Sequence, residues 1–217
     1  MKSLDRHEDY GQDALHEEHL IDDPIEQFKL WLTEAEAAEI YEPNAFVLGT
    51  VDQHNQSRSR TVLLKGVDER GLFFATNYLS RKGEAIDANH SVSAVFGWYS
   101  MYRQVLIQGF AEMVEPDEST EYFHSRPHDS QVAAWSSHQS QPIENRAALD
   151  AQFDAALTKF ENKDVPRPDY WGGYRIVPTR IEFWKGRSNR MHDRIEFVRA
   201  CEPSGPMGPW TTQRLQP

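Results

Sequence analysis

Residues 91–114 read SVSAVFGWYSMYRQVLIQGFAEMV, and they hold two runs rich in β-branched and aromatic residues, Ser91–Tyr99 and Arg103–Val114, joined by only three residues. So short a link has no room for a crossover helix, so the two runs are expected to be antiparallel neighbours in a sheet. The same chemistry recurs upstream at Ala45–Val51 (AFVLGTV), Ser59–Leu64 (SRTVLL) and Leu72–Thr76 (LFFAT), with turn clusters such as DQHNQ and DERG between them. It returns downstream in WGGYRIVPTRIEFWKG, where Ile181 and Phe183 fall on one face and Glu182 and Trp184 on the other. Five or more antiparallel strands without an obvious polar edge favour closure, and the expectation is a small barrel with flanking helices, mainly β within the α+β class.

The helices carry clear punctuation. Asp23 and Pro24 supply a cap and a first-turn proline ahead of Ile25, Phe28, Leu30, Trp31 and Leu32. Ser80 caps a helix over Ser80–Asn89, and Glu144–Glu161 carries Leu149, Phe153, Ala156, Leu157 and Phe160 at helical spacing. Residues 1–22 are mostly charged and histidine-rich and are expected to form a flexible arm, with residues 23–217 forming one domain.

Lys and Arg number 23 against 34 Asp and Glu, a formal charge of −11 that argues against nucleic acid or an anionic membrane as partner. Cys201 is the sole cysteine, so no internal disulfide forms and a thiolate metal site is excluded, which fits a cytoplasmic protein. No apolar run approaches the ~18 residues of a membrane span. His124 and His128 stand four apart with His138 beyond, but Pro127 interrupts their helix and no carboxylate follows at a ligand spacing, so no metal is expected. A GxSxG elbow, a P-loop and a GxGxxG after a strand are all absent.

Against this acidic background, cations gather in places that suit anions. In Tyr122–Ser140 (YFHSRPHDSQVAAWSSHQS), Pro127 should end one helix near Arg126 and begin another, aiming free N–H groups at Arg126 and Ser130 with Tyr122 one turn earlier. Arg81 and Lys82 sit in the first turn of their helix, unfavourable there unless an anion reverses the sign. Arg60 and Lys65 bracket RTVLLK with opposite parity, so one must reach a shared site from a bend or a strand end. Arg187, Arg190, His192 and Arg194 crowd a single loop, which suggests an electron-rich ligand among them. Solvated cations and packing aromatics are the plain alternative at each place. Many anion sites without a nucleophile point to a protein that positions a reactive cofactor.

The ordered set RTVLLK, FFATN, SRK, RQV, YFHSRPHDSQ, SHQS, WGGYR, EFW and NRMHDR, from about Asp23 to the closing QRLQP, resembles the pyridoxamine 5′-phosphate oxidase family. The resemblance implies an FMN-binding split β-barrel, a homodimer with flavin sites at its interface, and oxidation of pyridoxamine or pyridoxine 5′-phosphate to pyridoxal 5′-phosphate. Hydride would pass from substrate C4′ to flavin N5, and O2 would reoxidise the flavin to give H2O2. It further implies that Arg60, Arg81 and Lys82 hold the flavin phosphate and ribityl chain, with Thr61, Val62, Leu63, Leu64, Lys65, Ala75 and Thr76 completing that wall. Gln104, Gln139, Ser140, Trp184 and Arg194 match further flavin contacts. Lys65, Tyr122, Arg126 and Ser130 match the grip on the substrate phosphate, and Arg190 and His192 match the catalytic pair beside the pyridine ring. Aligned on Tyr10, His7 stands where bacterial members carry Arg; Glu42 replaces Asp, and Met191 replaces Leu. The alternatives are a non-catalytic split-barrel carrier or sensor of flavin or pyridoxal phosphate, and a split-barrel flavin reductase.

Overall fold

A computed structural model describes residues 9–200 and 207–217. In chain order the regular elements are α1 (Pro24–Ala37), β1 (Ala45–Val51), β2 (Ser57–Leu63), β3 (Gly66–Asp68), β4 (Gly71–Asn77), α2 (Arg81–Ala88), β5 (Ser91–Trp98) and β6 (Arg103–Met113). They continue with α3 (Pro116–Ser125), α4 (His128–Ser136), α5 (Arg146–Phe160), β7 (Trp171–Lys185), β8 (Asp193–Val198) and β9 (Thr211–Leu215). Every strand pairing is antiparallel, as the short links require.

The sheet runs β2-β1-β5-β6-β7-β4-β3, with β8 and β9 attached to β7. It is an open, curled path, and its β2 end is mostly exposed and polar, SRSRTVL, so the expected absence of a polar edge does not hold. The decisive strand is β7. β6 pairs with it over nearly its whole length, while β4 pairs only with Trp171–Ile176 and β8 only with Arg180–Lys185. Between those two partners lies Pro178, which has no N–H to offer a ladder, beside a register shift at Gln108/Gly109. The barrel is thereby split, with one end of β7 leading to β4 and β3 and the other to β8 and β9.

Two helix starts follow the sequence signals, with Asp23 Oδ1 accepting from Ile25 N at 2.8 Å and Ser80 Oγ from Gly83 N at 3.4 Å; the structure adds a third cap, Asn145 Oδ1 accepting from Ala148 N at 2.9 Å. Two cores result. The larger lies inside the sheet under α1, with Phe28, Phe46, Phe74, Phe96, Val105, Ile107, Ile181 and Phe183 buried. The smaller joins α3, α4 and α5 to the start of β7 through Phe123, Val132, Ala156, Phe160 and Trp171. Each such aromatic stabilises the fold by roughly 1.5–3 kcal/mol on burial, so α3 and α4 are firmly seated where they meet Trp171. Among the described residues no helix is long and apolar enough to cross a membrane.

Residues 9–22, expected as an arm, lie against the far end of the barrel. Leu15 N donates to Asp193 Oδ2 at 2.9 Å, Ser188 N donates to Gly11 O at 3.0 Å, and Arg214 on β9 reaches Glu17 and the Leu15 carbonyl. His7 falls outside the described residues.

Candidate active site

The first group of sequence-expected residues assembles around the start of α2. Lys82 Nζ, partly buried, donates to Thr76 Oγ1 at 3.1 Å, Ser80 Oγ at 3.3 Å and Gln139 Oε1 at 3.3 Å. Arg81 N donates to Ser140 Oγ at 3.3 Å, which draws in the loop after α4. Arg60 on β2 faces the same region and is steadied by the Leu48 carbonyl at 3.0 Å and Thr50 Oγ1 at 2.9 Å. Burial first, and then the charge of Arg60, push the Lys82 ammonium down to about 8. Two neighbouring cations held among hydroxyls are chemically suited to an anion such as a phosphate.

β2 supplies Thr61, Val62 and Leu63 along its edge pairing with β1. Leu64 is different: its side chain is in the core, and its backbone N–H and carbonyl are both taken by Asn44. Lys65 lies beyond the end of β2, the strand-end solution its parity required, and its N–H donates to Phe73 O at 2.8 Å.

The second group sits at the junction of α3 and α4. Arg126 is the C-cap of α3 and Pro127 the N-cap of α4, so the break falls where Pro127 places it. The Arg126 guanidinium lies 4.4 Å over the Trp171 ring, and its Nη2 donates to Ser130 O at 2.5 Å. Nη1 is buried with no hydrogen-bond partner, and burial pushes the whole group below its ordinary value. Tyr122 stacks parallel on Trp171 at 6.1 Å and meets Phe73 edge-on at 5.2 Å. Gly173 makes room for that Phe73 ring: a Cβ there would stand 2.1 Å from it. Trp171 is thus the platform for both residues, a role the WGGYR motif alone does not reveal.

The third group occupies the other end of β7. Gln104 pairs across to Trp184, and Trp184 across to Arg194. His192 packs on Trp184 at 4.8 Å and on Tyr10 at 5.7 Å, while Tyr10 stacks on Tyr102 at 4.6 Å. His192 Nδ1 accepts from Arg187 N at 3.0 Å, which puts the proton of the neutral ring on Nε2. Burial, and then Arg190, hold His192 below the usual imidazole value, against a smaller opposing pull from Asp193. Arg190 is exposed and has φ +60°, next to Asn189 at +57°, two consecutive left-handed residues that cost of order 1 kcal/mol or more each.

The crowding of cations in this loop needs no ligand to explain it, contrary to expectation. Arg187 pairs with Asp193 at 3.6 Å, and Arg194 forks onto Glu182 at 2.8 and 2.9 Å. Glu182 and Asp193 are buried carboxylates that the linear sequence presents as ordinary surface charges. By contrast, among the described residues Arg60, Lys65, Arg81, Lys82, Arg126 and Arg190 form no ion pair. His124 and His128 end up on separate helices.

Fold and site together define a split-barrel protein with two groups of cationic side chains near one end of β7 and an aromatic, histidine-bearing loop at the other. The chain belongs to the pyridoxamine 5′-phosphate oxidase family, whose model, described as pyridoxamine 5′-phosphate oxidase, matches residues 32–160. A second model, the pyridoxine 5′-phosphate oxidase C-terminal dimerisation region, matches residues 171–217. A pyridoxine/pyridoxamine 5′-phosphate oxidase of Salinibacter ruber is 46% identical over 100% of this chain and 99% of its own. One from Bordetella avium is 46% identical over the full length of both. Among solved structures, PhzG from Burkholderia lata, in complex with tetrahydrophenazine-1-carboxylic acid, is 30% identical with a TM-score of 0.85, covering 94% of this chain and 98% of its own. A pyridoxamine 5′-phosphate oxidase-related, FMN-binding protein of Nostoc punctiforme shares the fold at 13% identity and a TM-score of 0.68, covering 90% of this chain and 98% of its own. The antiparallel split barrel expected from the sequence is borne out.

Proposed function

We propose that this chain is an FMN-dependent oxidase that converts pyridoxamine and pyridoxine 5′-phosphates to pyridoxal 5′-phosphate. The observation that carries the reading is the set of cations that, among the described residues, form no ion pair in a chain of net charge −11. They form two cradles, as a phosphorylated cofactor and a phosphorylated substrate require. Arg60, Arg81 and Lys82, with Thr76, Gln139 and Ser140, suit the FMN phosphate: its charge offsets the repulsion between Arg60 and Lys82, and the hydroxyls complete the shell. Lys65, Tyr122, Arg126 and Ser130 are the group for the substrate phosphate, and Arg126 Nη1 is the donor left without a partner there.

FMN, when bound, supplies the two-electron acceptor and passes the electrons to O2, leaving H2O2. The protein's part is orientation and exclusion of water. Arg190 and His192 hold the pyridine ring, with His192 neutral at pH 7 and donating from Nε2. Trp184 and Tyr10 keep its imidazole in one plane.

The two ends of β7 are 13 residues apart between Trp171 and Trp184, up to about 40 Å along a strand. The cradles and the Arg190–His192 loop therefore meet one ligand most simply when a second copy of the chain supplies one of them. The match to a dimerisation region over residues 171–217 supports a homodimer. The single cysteine supports a cytoplasmic enzyme. The Burkholderia lata PhzG, in complex with tetrahydrophenazine-1-carboxylic acid, offers a rival ligand class, but the 46%-identical relatives named pyridoxine/pyridoxamine 5′-phosphate oxidase favour a phosphorylated one.

The test is peroxide release. Purified protein, yellow with bound flavin, is expected to release H2O2 when pyridoxine 5′-phosphate is added in air. A colourless protein that FMN cannot reconstitute sinks the oxidase; a yellow one that releases no peroxide points to a carrier.

A further inference from the structure

Arg175 lies in the first half of β7, opposite Phe73 on β4 and Glu112 on β6, and only 4% of its side chain is exposed. Its guanidinium forks in two directions: Nη1 donates to Asp68 Oδ1 at 2.7 Å and Nη2 to Glu118 Oε1 at 2.5 Å. Asp68 ends β3, three residues after Lys65, and Glu118 lies on α3, one turn before Tyr122. One buried, planar group therefore spans the two segments that carry the proposed substrate-phosphate grip. We propose that Arg175 is a positioning residue for that grip: it sets the separation between Lys65 and the α3–α4 corner bearing Tyr122, Arg126 and Ser130, and so the preference for phosphorylated substrates. The proposal rests on the assignment of those four residues to the substrate phosphate.

Three further contacts fit this role. Phe73, directly across from Arg175, both receives the Lys65 N–H at its carbonyl and touches the Tyr122 ring. Ser119, next to Glu118, accepts from Gly173 N at 3.0 Å, so α3 is pinned to β7 at two successive residues. Arg70 bridges Asp68 and Glu118 again at the surface, but at 56% exposure and 3.5 Å from Glu118 it adds little. A buried ion pair is a poor way to gain stability, since a well-packed apolar residue of the same volume often serves as well. Fixing two carboxylate-bearing segments at one spacing is a task an apolar residue cannot perform. Without Arg175, Asp68 and Glu118 are like charges bridged only by the exposed Arg70, and the spacing of α3 from β3 is no longer fixed from within.

The experiment compares wild type, Arg175→Met, Arg175→Lys and Glu118→Gln as FMN-loaded protein. Equilibrium binding of pyridoxal 5′-phosphate is followed by quenching of tryptophan fluorescence, since Trp171 underlies the grip. Activity is measured with pyridoxine 5′-phosphate and with unphosphorylated pyridoxine. Arg175→Met and Glu118→Gln are expected to weaken pyridoxal 5′-phosphate binding by roughly tenfold. The preference for the phosphorylated substrate in kcat/KM should fall by the same factor, with flavin content and pyridoxine turnover unchanged and partial rescue by Arg175→Lys. A lower thermal midpoint with binding and preference intact makes Arg175 a structural staple and overturns the proposal. Should Arg175→Met not fold, Glu118→Gln decides by the same readouts. A wild-type protein that neither binds pyridoxal 5′-phosphate nor oxidises its precursors removes the functional reading itself, an outcome distinct from variants that merely match wild type.

Discussion

At the start of β7, Arg126 lies over Trp171 with a buried donor unused, and Arg60, Lys65, Arg81 and Lys82 are held by hydroxyls, carbonyls or solvent. At its end, Lys185, Arg187, Arg194 and Arg214 each meet a carboxylate: Asp13, Asp193, Glu182, and Asp193 with Glu17. The residue types are the same, yet only the second set is neutralised by carboxylates at ion-pair distance. Crowding of cations is thus a poor guide to a ligand site; separation from carboxylates is a better one. Arg190 is the exception at the far end, exposed and without an ion pair among the described residues.

That contrast can be broken by substitution, and the largest effect is expected at its exception. Arg190→Ala should lower kcat by about 100-fold or more, the scale of lost orientation, while flavin content changes little; equal loss of both would return Arg190 to the architectural set. Removing that charge also relieves His192, whose value burial and Arg190 hold down, so the acid limb of the pH–rate profile should move to higher pH. Arg126→Met should raise KM for pyridoxine 5′-phosphate by roughly 30-fold, about 2 kcal/mol for a charge-assisted hydrogen bond, without altering FMN affinity. Lys82→Met should weaken FMN binding by about tenfold. The wild-type ammonium in the FMN-free protein titrates near about 8 and binds phosphate only when charged, so wild-type affinity should decline as pH rises through that value and the variant should lose the dependence. Flavin fluorescence against pH reads both. The smallest effect is expected from Arg214→Met, in the paired set: a thermal midpoint lower by about 2–4 °C, with phosphate KM and FMN affinity unchanged.

Much of this arrangement is legible in the sequence where the signal is local. Asp23–Pro24 and Ser80 mark helix starts because capping is settled within three residues, and Pro127 marks the α3–α4 corner for the same reason. The split barrel is legible only through the family resemblance and not in the residue pattern of β7, because WGGYRIVPTRIEFWK reads as one long strand and the exchange of β4 for β8 depends on partners about 100 residues upstream and a few residues downstream. β9 is missed because TTQRL is polar and exposed and becomes a strand only against β8. The paired state of Arg187 and Arg194 is hidden because it depends on the burial of Glu182 and Asp193. Glu182 did share a face with Trp184 in the sequence reading, the one clue that a carboxylate lay under the loop.

The docking of residues 9–17 on β9 and the 187–193 loop has a consequence for the order in which the protein is built. Leu15 and Glu17 meet Arg214 across almost 200 positions of chain, with Asp193 between them. The cationic group around Lys82, the proposed cofactor-phosphate site, draws on residues 48–140. During vectorial synthesis the cradle's parts emerge long before β9 exists, and the His192 loop can be locked only once the strand carrying Arg214 has left the ribosome. Until then the arm has nothing to close on, so a nascent chain is expected to acquire its proposed phosphate-binding end first and its proposed ring-binding end last.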